Sequence, residues 1–374
     1  MLAVTSLGML AAYEPDTGSD VHRTGRIKLM ERDGMWCNQA RRGGRMVLLA
    51  LLASMMTMGV RAATKDAERV LPLSGDLAGS LTVITSRYED TFAALGATHS
   101  LGYLELVKAN PDVDPWLPGE GTAITLPRHY VMPEARRSGI VINLAEYRLY
   151  YFTDKGVLVY PVGVGTADNP SPLTDAQVTM KLESPAWYPP ESILAQAKKD
   201  GEYLPRMIPP GPGNPLGPYA IMLSEPGYLI HGTNKQFGVG TQVSHGCFRM
   251  YNEDISRFVY EVDRGATVQV VDQPVKIGMK GHEVWLEVHR AAEQYTDADR
   301  EALWEAVTAR LDTLRQEMPD VELQRGAIES AVEQADGIPR MIGERLARVA
   351  AEPSARARSR GADSGASDTL KLWF

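Results

Sequence analysis

Residues 228–250 read YLIHGTNKQFGVGTQVSHGCFRM. Tyr228 to Ile230 is a short strand-like run, and the glycines on either side of it are turn residues. Beyond it the stretch gathers His231, Gly232, Asn234, Ser244, His245, Gly246, Cys247 and Arg249. A thiol is mostly protonated at neutral pH, and its thiolate is the nucleophile. A nearby imidazole can take the proton and carry the resulting charge. Gly246 lets the backbone turn sharply before Cys247, so that successive N–H groups can converge on one oxygen, as attack on a carbonyl requires. These residue types suit acyl transfer through a thioester. Three other readings use the same residues. Zinc could be held by His231, His245 and Cys247, although the spacing lacks the usual ligand pairs and a fourth ligand. The cysteine could be a buried structural one. The third reading is a papain-like peptidase, but there the cysteine precedes the histidine.

Short strands continue outward from the motif. Ile140 to Leu144, Tyr147 to Phe152, Val157 to Val164, Val178 to Leu182 and Tyr219 to Leu223 precede it; Thr267 to Val271 and Val284 to Val288 follow. Gly, Pro or Asn separates these runs, which predicts a sandwich or barrel. One helix interrupts them, with Asn252 as N-cap and Ile255, Phe258, Val259 and Val262 on one face. The Pro- and Gly-rich passage from Pro189 to Tyr219 predicts a long ordered loop and not a helix, of a length that walls or covers a site.

Residues 78–128 form a separate small unit. Leu81 to Ile84 is strand-like, Asp90 caps a helix ending near Gly96, and Leu101, Leu104 and Val107 mark a second helix stopped by Asn110-Pro111. Ala123 to Leu126 returns as a strand. Residues 138–274 are the expected central domain, and 275–352 a closing strand with a helical extension. Thr296-x-x-Asp299 starts a helix with an apolar stripe of Leu303, Trp304, Val307, Leu311 and Leu314, and a second helix is expected from Val321 to Ala335. Residues 353–374 form a tail expected to be disordered.

The chain has 374 residues with 44% hydrophobic and 23% charged, which excludes wholesale disorder and fibrous repeats. A net charge of −8 gives no basic footprint for nucleic acid. Within residues 1–62, Arg41, Arg42 and Arg45 precede an apolar run at 46–58, and Val60-Arg61-Ala62 offers a cleavage site, the layout of an export signal. The run is shorter than the roughly 20 residues of a spanning helix. Retention as an anchor is the alternative. Residues 1–40 show no apolar period, and translation is expected to start at Met35 or Met46. Cleavage would remove Cys37, the only cysteine besides Cys247.

The set His231 with Ser244-His-Gly-Cys247 resembles the signature of L,D-transpeptidases with a YkuD-type catalytic domain. The flanks resemble the Gram-negative, LysM-bearing members: Asn143 through Tyr151, Pro210 through Gly217, Arg249-Met250 and Gln273 through Lys276. Residues 78–128 resemble a LysM module in Thr82-Val83-Ile84, Tyr88 to Phe92, Ala109-Asn110-Pro111 and Gly121 to Pro127, with Glu89 where that family usually has Gly. The resemblance implies a mainly β fold with α+β elements: an antiparallel β-sandwich, a small βααβ module and the helical extension. Carried over, Cys247 is the nucleophile and His231 the proton acceptor and donor. The Gly232 carbonyl orients the imidazole, His245 supports the site, and the N–H groups of Gly246 and Cys247 form the oxyanion hole. Ser244 and Arg249 position substrate or loop, Arg249 facing either a stem carboxylate or a structural salt bridge, and Asn234 binds substrate. The implied donor is a peptidoglycan tetrapeptide stem, attacked at its third residue with loss of D-Ala. The acceptor would be another stem, the C-terminal Lys of an outer-membrane lipoprotein, or water. The implied setting is the periplasm, with no metal or organic cofactor and no nucleic acid. The rival from another class is a non-catalytic wall-binding protein.

Overall fold

The computed structural model describes residues 69–290 and 296–346. The expected export segment with its run at 46–58, Cys37 and the tail at 353–374 lie outside the described residues. Among the described residues no helix is long and apolar enough to cross a membrane.

The chain enters through β1 (Leu73–Ser74) and β2 (Leu77–Gly79), then builds β3 (Thr82–Thr85), α1 (Phe92–His99), α2 (Tyr103–Ala109), β4 (Ala123–Leu126) and β5 (His129–Val131). β3 and β4 pair antiparallel with the two helices between them, around a core of Phe92, Leu95, Leu101, Leu106, Ile124 and Leu126. Thr91, not Asp90, caps α1: its hydroxyl accepts the Ala94 N–H, while the Asp90 carboxylate accepts the Arg87 N–H. The helix also runs past Gly96 to His99. Gly96 is there for close approach, since a Cβ would lie 2.7 Å from the Leu101 oxygen. The buried Asn110 amide bonds to Leu106 O and to both backbone groups of Thr125, tying the end of α2 to β4.

The central part contains β6 (Gly139–Asn143), β7 (Arg148–Thr153), β8 (Gly156–Pro161), β9 (Val164–Gly165), β10 (Asp175–Glu183), α3 (Glu191–Lys199), β11 (Tyr219–Leu223), β12 (Leu229–His231), β13 (Gln242–Ser244), β14 (Phe248–Arg249), α4 (Asn252–Glu261) and β15 (Thr267–Val271). Its main sheet has the order β14-β12-β11-β10-β15-β6-β7-β8. β10 serves both halves: Asp175 to Gln177 pair with β15, and Val178 to Glu183 pair with β11 across a register irregularity. Both halves supply one core, with Ile140, Leu149 and Leu158 from one, Ile221, Ile230 and Phe248 from the other, and Ile255, Phe258 and Val259 of α4.

Two readings change here. The sheet is mixed, because β12 with β14 and β15 with β6 pair parallel. Parallel neighbours need a crossover of about a dozen residues or more, which is what the chain between His231 and Phe248 supplies. The Pro-rich passage carries a helix, α3, that begins just after Pro190. Proline blocks a helix interior but is tolerated at its start, so Pro189-Pro190 introduce this helix. None of its side chains is buried.

The C-terminal part comprises β16 (Val275–Lys280), β17 (Glu283–Val288), α5 (Asp297–Glu317), β18 (Val321–Leu323), α6 (Arg325–Gln334) and β19 (Arg340–Arg345). The expected helical extension is thus an α/β layer, an antiparallel sheet ordered β16-β17-β19-β18 under two helices. Thr296 and Asp299 form the expected capping box, and Leu303, Val307, Leu311 and Leu314 pack against Val284, Leu286 and Ile342. The second helix starts at Arg325 and not at Val321, because Val321 to Leu323 are drawn into the sheet by β19.

Candidate active site

Strand register assembles the site. β12 and β14 run parallel with Ile230 opposite Phe248 and His231 opposite Arg249. Ile230 and Phe248 are fully buried in the main core. Side chains alternate along a strand, so His231 and Arg249, and Cys247 one step before Phe248, project from the other face. The apolar residues of the motif thereby aim its polar ones.

His231 is buried, and its Nδ1 lies 2.6 Å from the carbonyl oxygen of Gly232. A carbonyl only accepts, so Nδ1 carries the proton and Nε2 is left with a lone pair. Burial lowers the imidazole pKa to about 4; the Gly232 carbonyl opposes this and the Arg249 charge adds to it. Burial likewise pushes the Cys247 thiol up, against the pull of the Leu229 N–H and Arg249. Both shifts favour the neutral forms. The thiol donates to the Gly227 carbonyl at 3.6 Å.

The turn before Cys247 is braced from both sides. Gly246 has φ +105°, and a Cβ there would meet the Tyr228 ring at 2.8 Å, so only glycine fits without strain. The Ser244 hydroxyl donates to Cys247 O at 2.6 Å and accepts the Gly246 N–H at 3.0 Å. From the other side the Ser171 hydroxyl donates to Gly246 O at 2.8 Å and accepts the Gly165 N–H at 3.0 Å. The Ser244 hydroxyl thus serves the loop alternative, and it engages the Gly246 N–H that was expected as an oxyanion donor. Asn234, expected to touch substrate, donates instead to Gly213 O at 3.0 Å and pins the Pro/Gly-rich passage. Asn214 holds that passage from within, bonded to the carbonyls of Pro185, Ile208 and Pro209. His245 points into solvent.

Arg249 is half-buried beside the thiol; its Nε has no hydrogen-bond partner, and no ion pair is found for it among the described residues. Among the described residues the salt-bridge alternative therefore has no carboxylate to supply it. Three residues of the site went unread in the sequence. Ser171 sits in an Asn-Pro-Ser-Pro turn with no periodic signal, Tyr228 passes for an ordinary strand residue, and Asn252 has the look of a helix cap. Asn252 in fact opens α4, and its side chain bonds to the backbone of Thr233.

Among the described residues, His231, His245 and Cys247 do not form a metal-holding group; the side chains close enough to share an ion are Glu146, Glu287 and His289, within 4.8 Å of one another. Protein cations already neutralise that cluster. Arg148 pairs with Glu146 at 2.6 Å and Glu287 at 2.7 Å, and Lys276 with the same two at 2.7 and 3.0 Å. Glu105 of α2 closes the group on Arg148 at 2.7 Å.

A family model described as the L,D-transpeptidase catalytic domain, YkuD, matches residues 137–275. The chain is 39% identical over 217 residues to the probable L,D-transpeptidase YcfS of Escherichia coli (strain K12), covering 56% of this chain and 68% of that protein. It is 41% identical over 204 residues to the probable L,D-transpeptidase ErfK/SrfK of the same organism, covering 54% of this chain and 64% of the relative. It thus spans about two thirds of the length of these relatives. Similarity to the solved L,D-transpeptidase from Mycobacterium smegmatis is remote, at 19% identity and a TM-score of 0.29, over 35% of this chain and 57% of that one. With the motif, its strand register and relatives near 40% identity in agreement, the chain belongs to the L,D-transpeptidase family of enzymes.

Proposed function

We propose that Cys247 is the nucleophile of an acyl transfer in which a peptidoglycan tetrapeptide stem is the donor. The observation that carries this reading is the parallel β12–β14 register, which sets His231 beside Arg249 with Cys247 one residue before the strand. The thiol turns from Gly227 toward His231, and Nε2 takes its proton as sulfur attacks the carbonyl of the third stem residue. The tetrahedral oxyanion is met by the Cys247 N–H, and Arg249 offers its unpaired charge to a stem carboxylate. Collapse breaks the amide bond; imidazolium returns the proton to the departing D-Ala amine, leaving a thioester. An amine acceptor, another stem or a lipoprotein Lys, then attacks that thioester, and sulfur leaves as the thiol. Water at this step makes the enzyme a carboxypeptidase.

Because a carbapenem presents a strained amide to the same sulfur, the test is intact-mass measurement after incubation with one. A single adduct on wild type that is absent from Cys247→Ala supports the reading. No adduct, or an equal one on the variant, sinks it and favours the non-catalytic wall protein.

The βααβ unit is the proposed LysM-like, wall-binding module. Its strand–helix–helix–strand order supports this, as does exposed Trp116, whose ring lies 5.3 Å from that of Phe237 on the β12–β13 connection. Sedimentation with purified sacculi, intact against Trp116→Ala, tests it. The basic and apolar run within residues 41–62 supports export to the periplasm.

A further inference from the structure

The carbonyl that holds Nδ1 of His231 belongs to the peptide joining Gly232 to Thr233. That peptide is trans, so its C=O and N–H point in opposite directions and fixing one end fixes the other. The N–H end is held by Asn252: Oδ1 accepts the Thr233 N–H at 2.8 Å, and Nδ2 donates to Thr233 O at 2.9 Å. The partners settle which end of the amide is which, since an N–H needs an oxygen and a carbonyl needs an NH2. Space for the amide is cleared by glycines. A Cβ on Gly232 would lie 2.5 Å from Asn252 Oδ1, and one on Gly217 2.6 Å from it. Two separate stretches of chain therefore converge on one side-chain amide.

We propose that Asn252 is a positioning residue that sets the tautomer of His231. By locking the Gly232–Thr233 peptide plane it keeps the carbonyl against Nδ1, so the ring proton stays there and Nε2 stays free to receive the thiol proton. The inference rests on the reading of His231 as the base. Asn252 lies five residues beyond Cys247. One short segment thus supplies the nucleophile and orients the base that activates it. Without this lock the peptide can rotate, and a ring protonated at Nε2 has no lone pair facing the sulfur.

The test combines imidazole 15N chemical shifts, which distinguish Nδ1–H from Nε2–H, with the rate of carbapenem acylation. It uses the full chain as wild type, Asn252→Leu and Asn252→Asp. Leu removes both bonds at similar volume, whereas Asp keeps an oxygen facing the Thr233 N–H. Wild type and Asn252→Asp should show the Nδ1–H form. Asn252→Leu should show Nε2–H or a mixture and acylate at least about 10-fold more slowly. If Asn252→Leu does not fold, Asn252→Ala is measured the same way. A leucine or alanine variant that keeps the Nδ1–H form overturns the proposal, whatever its rate. So does unchanged acylation. If wild type forms no adduct at Cys247, the acyl-transfer reading fails, while the nitrogen shifts still decide whether Asn252 sets the ring.

Discussion

The proposed transfer from a neutral thiol to a neutral imidazole differs from a pre-formed thiolate–imidazolium pair in its response to pH. His231 is pulled down to about 4 by burial, so it remains a competent acceptor well below the ordinary histidine range. Carbapenem acylation followed by mass spectrometry should therefore lose half its rate near pH 4, not near pH 6.5. It should rise again on the alkaline side as the thiol, held up by burial, ionises. A midpoint near 6.5 would show that the ring is solvated. The same linkage acts on stability. Asp254 is buried against Ser100 with one oxygen unpartnered, and its carboxyl is raised to about 6, chiefly by burial. The native state then binds a proton that the unfolded chain, with an ordinary carboxylate, has released. Stability should fall as pH rises from about 4 through 6 and then level off. Urea titrations at pH 4.5 and 7.5 should show this component in wild type and not in Asp254→Asn.

Strands and turns decide how much of the site could be read in advance. The frame of the proposed site was legible because Gly, Ser and His at fixed spacing announce a turn, and Ile230 and Phe248 announce core strands. The bracing was not, because Ser171 reaches Gly246 only through the close approach of β9 to the motif, and no local pattern encodes that contact. Ser171→Ala leaves the Gly165 N–H and Gly246 O without their partner. It should cost about 1–3 kcal/mol in urea unfolding and slow acylation together. α3 was misread for a different reason: proline residues that end helices can equally begin them. With no buried side chain, α3 contributes little to the fold. Replacing its exposed residues should move stability by less than about 0.5 kcal/mol, and a change in turnover of stem peptides without a change in stability would place it at the substrate. β19 was missed as well. Arg-Met-Ile-Gly-Glu-Arg alternates too weakly to declare itself, and pairing with β17 and β18 makes it a strand.

Across the molecule, the ion cluster joins parts that the sequence separates. Glu105 comes from the βααβ unit, Glu146 from the turn between β6 and β7, Arg148 from β7, and Lys276, Glu287 and His289 from the C-terminal layer. Its members are almost wholly buried, with Glu287 also accepting the Val131 N–H at 2.6 Å. A buried pair adds little net stability over an apolar replacement, but removing one partner strands the other charge. Lys276→Met should cost about 3–5 kcal/mol by denaturant titration, and a cost below 1 would mean that water reaches the cluster. The run from Asn143 to Tyr151 served as a family marker in the sequence; in space, half of it builds this junction. The small unit is therefore no pendant on a string. Arg148 is left with a missing counter-charge if the first module is deleted, and the last layer takes Lys276 with it if it goes. Removing any one piece leaves buried charge uncompensated in another, so a truncated chain must lose stability unless the junction is redesigned with it.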